Sequence, residues 1–429
     1  MLNGFIHPAY ARLASALERQ ISRNGGGAAA CVYQNGECVA DVWGGVKDWA
    51  GNPWQRDTIC PSFSTTKGVV ATALHMLVDR GLLDYDDPVA KHWPEFAQAG
   101  KQGITVRQVL CHRAGLYNVR ALVSDARQLL DWHYMVNALA SAPAAPSVGD
   151  TTAYHGFTFG FLVGELVQRL AGKSLSQFLQ EEIALPLGLD GLLVGTPSSE
   201  MPRVAELMRR RSRRRTRRSD RKRERAKRRR RRLGKLIELA LRLGGIPADF
   251  KRSADALMPA GISHLDFSSE EVLRACIPAA NGVFTARSLA RLYACLAGGG
   301  ALDGARLMSP GTILRAAEIQ TTGVDHIIMF PMMWRLGYHR VATFRGNIAH
   351  AFGHSGYGGS GAWADPERDL SFAMVVNSGA GTPFGDLRIV RLNALVLECA
   401  AQYNRTSARM RCAGALPGGV LRAPVDLAS

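Results

Sequence analysis

Apolar positions along the chain fall into two regimes. Residues 8 to 24 carry apolar side chains at three- and four-residue intervals, the pattern of a helix with one inward face. The stretch AAACVYQNGECVADVWGG then sets two apolar runs around Asn35-Gly36, which predicts two antiparallel strands joined by a two-residue turn. After FSTTK, the run GVVATALHMLVDRGLLD returns to helical spacing and stops at Gly81. Helical spacing continues through residues 105 to 112, 157 to 171 and 174 to 186, so the middle of the chain reads as helical.

Short β-type runs come back late, in NIAHAFGHSG, GSGAWADPE and DLSFAMVVNS, and residues 385 to 402 read as a closing helix. The predicted architecture is an α/β fold: an antiparallel sheet drawn from both chain termini, flanked by helices, with a helical region inserted between its halves. The expected organisation is a single domain over 1–403. Its sheet part covers about 1–62 and 300–403, and its helical part 63–299. Residues 404–429 read as a loosely held tail.

Composition changes this picture at one place. The chain of 429 residues carries 53 Lys and Arg against 36 Asp and Glu, a formal charge of +17. Residues 209–235 hold 19 basic residues and two acidic ones, Asp220 and Glu224, which equals the whole excess. The remainder is formally neutral, so the charge belongs to an Arg-rich insertion and not to its host. No apolar run reaches the length of a membrane span, and MLNGFIHPAYARLASALERQ lacks the basic and apolar regions of a signal peptide, so a cytoplasmic location is expected. The eight cysteines show no C-x-x-C pair and read as buried reduced thiols.

Candidate chemistry begins at CPSFSTTKGVV. Ser64 and Lys67 lie three apart, so on a helix beginning at Ser64 they share one face. A serine needs a neighbouring base to become a nucleophile, and a lysine that is desolvated beside other positive potential can supply it. The spacing alone is not selective, because Ser219 and Lys222 repeat it inside the Arg-rich run. Other hydrolase signatures are missing: no serine has glycine at both −2 and +2, and no H-E-x-x-H occurs. Neither a metal nor another cofactor is expected.

The span from SFSTTKGVV through GLLDYDDPV to ITVRQVLCHRAGL resembles the serine β-lactamase and penicillin-binding-protein superfamily, and is most similar to the class C-like branch that contains family VIII carboxylesterases. The resemblance covers roughly residues 10 to 200 and 275 to 400, and it implies a β-lactamase-like fold. It gives Tyr154, in AYHGFTFG, the role of relaying a proton between Ser64 and the leaving group. Gly156 stands where lactamases place an asparagine, a departure that favours ester substrates. His354-Ser355-Gly356 occupies the place of the family's K-T-G strand, with the Tyr357 amide joining that of Ser64 as an oxyanion hole. Histidine in place of lysine implies a charge that titrates. Asn281 and Gly282 read either as the floor of the site or as a helix-entry turn.

The expected function is a serine carboxylesterase acting on short-to-medium acyl esters through an acyl-enzyme, with β-lactamase or acyltransferase activity as the alternatives on the same fold. A reading of another class treats the fold as a scaffold for the Arg-rich run. There, Arg209 to Arg232 followed by LGKLIELALRLGG suggests an anionic membrane surface as partner. Nucleic acid is disfavoured because no aromatic residue interleaves the arginines.

Overall fold

The computed structural model describes residues 1–208, 233–379 and 387–412. Most of the Arg-rich run and the end of the tail therefore lie outside the described residues. A seven-stranded antiparallel sheet forms from β1 (Leu2–Ile6), β2 (Gly27–Gln34), β3 (Glu37–Gly45), β4 (His339–Thr343), β5 (Gly346–Ser355), β6 (Gly361–Asp365) and β7 (Leu370–Val376). Their order is β1-β3-β2-β7-β6-β5-β4, so the two chain ends meet where β2 pairs with β7, Ala28 opposite Val376 through Gln34 opposite Leu370. The β2–β3 turn is the one its sequence asks for, with both Asn35 (φ 53°) and Gly36 (φ 74°) left-handed.

Both faces of the sheet are covered, which explains why β2 reads as a continuous apolar run and not as an alternation. Ala29, Cys31 and Tyr33 enter the larger core, toward the inserted helices, while Ala28, Ala30 and Val32 enter a second core. The second core is closed by α1 (Ala11–Asn24) and α6 (Leu387–Cys412). On the larger side stand α2 (Thr65–Asp79), α3 (Thr158–Ala171), α4 (Phe250–Leu257) and α5 (Ala286–Ala297), with α5 lying on β2, β6 and β7. Helix α2 is buried from Thr65 through Val78, between α3 and the end of β5.

Two strands were not visible in the sequence pattern. β1 buries only Leu2 and has no usable alternation, and β4 is a short irregular partner of β5. The closing helix also runs past Tyr403, where the loose tail was expected to begin. Tyr403 packs edge-on against His7 at 4.8 Å, and Asn404 accepts a hydrogen bond from the buried Gln34 (2.9 Å), so contacts with the N-terminal segment hold this turn. Residues 413–429 lie outside the described residues.

Candidate active site

The chain enters α2 through a forced turn. Phe63 is left-handed (φ 47°), a conformation costing on the order of 1 kcal/mol or more for a residue with a side chain. It is held from both sides: Ser62 N donates to Gly282 O (2.9 Å), and Gly282 N donates to Thr66 Oγ1 (3.0 Å). Ser64 then occupies the N-cap of α2 but does not spend its hydroxyl on the cap. That oxygen is left for side chains.

Three groups meet there. Lys67 Nζ lies 3.2 Å from Ser64 Oγ, and the Tyr154 hydroxyl donates to the same oxygen at 2.8 Å. Lys67 also donates to the carbonyls of Gly156 (2.6 Å) and Ala279 (3.0 Å). A neutral amine has two N–H bonds and one lone pair, so two carbonyls use its hydrogens and leave the lone pair toward the serine. Lys67 is fully buried, and among the described residues no carboxylate pairs with it. Burial alone drives its pKa well below the ordinary lysine value, without the neighbouring positive charge expected from the sequence. Burial pushes the Tyr154 phenol the other way, above its usual value; the Ser64 bond lowers it and the Asp325 charge raises it further.

A side chain at Gly156, such as the asparagine of lactamases, would have to displace the end of Leu257. A Cβ there would stand 2.8 Å from Leu257 Cδ2 and 3.2 Å from the Ala256 carbonyl, because α4 packs behind it. The departure noted in the sequence thus has a steric counterpart in the fold.

His354, Ser355, Gly356 and Tyr357 run from the end of β5 alongside residues 62–65. A Cβ on Gly356 would be 2.1 Å from the Ser62 carbonyl, so only glycine permits this approach. Thr65 Oγ1 donates to Ser360 O (3.2 Å), and Tyr357 meets Phe63 edge-on at 5.5 Å. Ser355 N donates to His339 Nε2 (2.9 Å), which anchors the strand from β4. His354 differs from expectation. It is buried, with Nδ1 bonded to the Ser355 carbonyl, and burial, followed by His339 and Lys67, holds it well below the usual imidazole range. The titrating charge inferred from the sequence is therefore absent near neutral pH, because desolvation disfavours the imidazolium.

Asn281 serves its own loop. Its side chain accepts from Ile277 N and donates to the Val272 and Ala275 carbonyls, while Gly282 clamps α2; the pair fits the turn reading. Sequence reasoning missed the Ala279 carbonyl, whose function needs no particular side chain. It also missed Trp334, stacked on Tyr154 at 5.4 Å and 7°, and the buried Asp325 behind both. A small depression, with room for little more than a water molecule, is lined by Phe63, Leu207, Tyr357 and Val376 with Gly358, Asn377 and Gly379. Among the described residues no group of three or more metal-ligating side chains is assembled.

Comparison with known proteins agrees with this layout. A family model described as Beta-lactamase matches residues 13–396. The chain is 38% identical over 358 residues to the esterase/beta-lactamase LipL of Mycobacterium tuberculosis, covering 83% of this chain and 78% of that protein. Among solved structures, a family VIII carboxylesterase is similar at TM-score 0.79 and 31% identity, over 93% of this chain and all of that one. A penicillin-binding-protein homologue from Caulobacter crescentus is similar at TM-score 0.76 and 34% identity, over 92% and 100%. A fold whose sheet joins both chain ends, matched along nearly its whole length by the family model, makes this chain a member of the beta-lactamase family.

Proposed function

We propose that the protein is a serine carboxylesterase that cleaves short-to-medium acyl esters through an acyl-enzyme on Ser64. The observation that carries this reading is the meeting of Lys67 and Tyr154 on one serine oxygen. Neutral Lys67 takes the Ser64 proton as the oxygen attacks the ester carbonyl. The amides of Ser64 and Tyr357 hold the oxyanion, a role supported by the close approach of Gly356 to Ser62. Tyr154 delivers a proton to the leaving alcohol, and Lys67 replenishes it. Water then discharges the acyl group; a second alcohol in its place would give acyl transfer by the same intermediate.

Two features favour esters over β-lactams. The asparagine position is glycine, with Leu257 packed against it, and the residues flanking the Ser64 turn, Phe63 and Tyr357 with Leu207 and Val376, are uncharged and largely apolar. The test is hydrolysis of p-nitrophenyl butyrate by the protein and by Ser64→Ala, with a chromogenic cephalosporin in parallel. Turnover should fall by about 10⁴-fold or more in the variant. Unchanged ester turnover would refute the assignment, and faster turnover of the cephalosporin than of the ester would move it to the lactamase alternative.

A second reading concerns where the enzyme works. Residues 233–243 form a helix whose Leu233, Leu236, Ile237, Leu239 and Leu243 are exposed, Leu243 at 81%. Apolar side chains in water directly after 18 basic residues in the sequence of 209–232 suit an anionic lipid surface. No described helix is long and apolar enough to cross a membrane, so contact would be peripheral. Co-sedimentation with anionic vesicles, with and without residues 209–232, tests it; equal pelleting would remove the run from any such role.

A further inference from the structure

Behind Tyr154, on the side away from Ser64, residues 318–338 carry neither helix nor strand, yet they enclose a fully buried carboxylate. Asp325 Oδ1 accepts from the main-chain N–H groups of Tyr154 (3.2 Å), Ile327 (2.8 Å) and Ile328 (2.9 Å). Its Oδ2 accepts from Trp334 Nε1 at 3.0 Å. Among the described residues no Lys or Arg pairs with it. Burying a carboxylate among neutral donors alone is costly, and an asparagine could satisfy the three main-chain groups but not the indole. Burial pushes the carboxyl up to about 6, while the N–H donors pull it down.

What the carboxylate gains is control of one ring. It holds the Tyr154 main chain directly, and through its N–H it holds the Trp334 indole, which lies flat on the Tyr154 ring at 5.4 Å. The groups facing that ring from other elements fix it less directly: Lys67 Nζ lies 4.9 Å from its centroid, the His112 ring lies edge-on at 4.9 Å, and His354 is 6.4 Å away. None of these three donates to or accepts from the phenol, whose described partner is Ser64.

We propose that Asp325 is a positioning residue for Tyr154, holding its main chain and, through Trp334, its ring plane, so that the hydroxyl stays aimed at Ser64 Oγ and the departing alcohol. The inference rests on the esterase reading, in which the phenol protonates the leaving group. An ester of a poor leaving group depends on that proton far more than one of p-nitrophenol does. In Asp325→Asn an amide N–H would face the indole N–H, pushing the stacked ring off its place.

The experiment compares kcat for ethyl butyrate and p-nitrophenyl butyrate in the full chain, with circular dichroism confirming folding. Asp325→Asn should lower kcat for the ethyl ester by about 100-fold and for the p-nitrophenyl ester by less than about 10-fold, with KM little changed. Adding Trp334→Phe, which keeps a flat ring and removes the opposing N–H, should recover most of the ethyl-ester loss. Trp334→Phe alone should move the same ratio more mildly, and carries the test if Asp325→Asn does not fold. Equal losses on both esters with no recovery, or an unchanged ratio in every folded variant, would overturn the proposal. Ser64→Ala separates the two layers: full ester turnover there defeats the esterase reading, whereas loss there with an unaltered Asp325→Asn ratio defeats only the inference.

Discussion

Among the described residues two lysines are fully buried, and their hydrogen-bond partners differ at one position. Lys101 donates to three carbonyls, of Gln98 (2.7 Å), Ala140 (2.9 Å) and Ala142 (2.5 Å). Lys67 has two carbonyls and the hydroxyl of Ser64. Three carbonyls can only accept, so they match an ammonium with its three hydrogens. Replacing one carbonyl by a hydroxyl, which can donate, gives a neutral amine an equally complete set of partners. Burial lowers both pKa values, and lowers that of Lys67 far further. A buried lysine is thus a brace or a base according to what its third partner can give.

The contrast can be broken at its strongest point first. Lys67→Met should reduce kcat/KM for p-nitrophenyl butyrate by about 10³-fold or more while the protein still folds, because it removes the base and leaves only two carbonyls short of a donor. Next, Lys101→Met should keep kcat/KM within about twofold but lower the unfolding free energy by roughly 2–4 kcal/mol, read by urea denaturation, since three carbonyls lose their donor. Lys101 mattering to turnover more than to stability would collapse the distinction.

The pH response sharpens it further. In the proposed mechanism Lys67 works unprotonated, so kcat/KM should fall as pH drops through its folded pKa, well below the ordinary lysine range. The unfolded chain binds this proton more tightly than the fold does, so stability should rise with pH between the folded value and the ordinary one. Urea unfolding across pH should show a shallower rise in Lys67→Met. The smallest effect is expected at His354: because burial keeps it neutral, His354→Gln should add or remove no inflection in the pH–rate profile between about 5 and 8.

Legibility in the sequence followed the range of the interaction. Ser64 and Lys67 could be read because one helical turn brings them together, and the β2–β3 hairpin because Asn35-Gly36 states its own geometry. Tyr154 was reached through resemblance to a family. Asp325 was out of reach: it meets Tyr154 across 171 residues, from a segment with no periodicity to mark it. The charge expected at His354 failed for a related reason, since a residue's name does not tell how completely neighbours from other elements will exclude water. Ala279 contributes a main-chain oxygen, for which no side-chain pattern could speak.

The pairing of β2 with β7 has a further meaning for the integrity of the centre. A protease cutting after any arginine between 209 and 232 would leave Ser64, Lys67 and Tyr154 on one fragment, and Asp325, Trp334 and the 354–357 strand end on the other. Seven opposed residue pairs between β2 and β7, with α1 set against α6, would still join the fragments across the sheet. The reactive centre is in that sense a joint between two polypeptides that happen to be covalently continuous, and a nicked protein can be expected to behave as a complemented enzyme, with its halves parting only when the sheet itself melts.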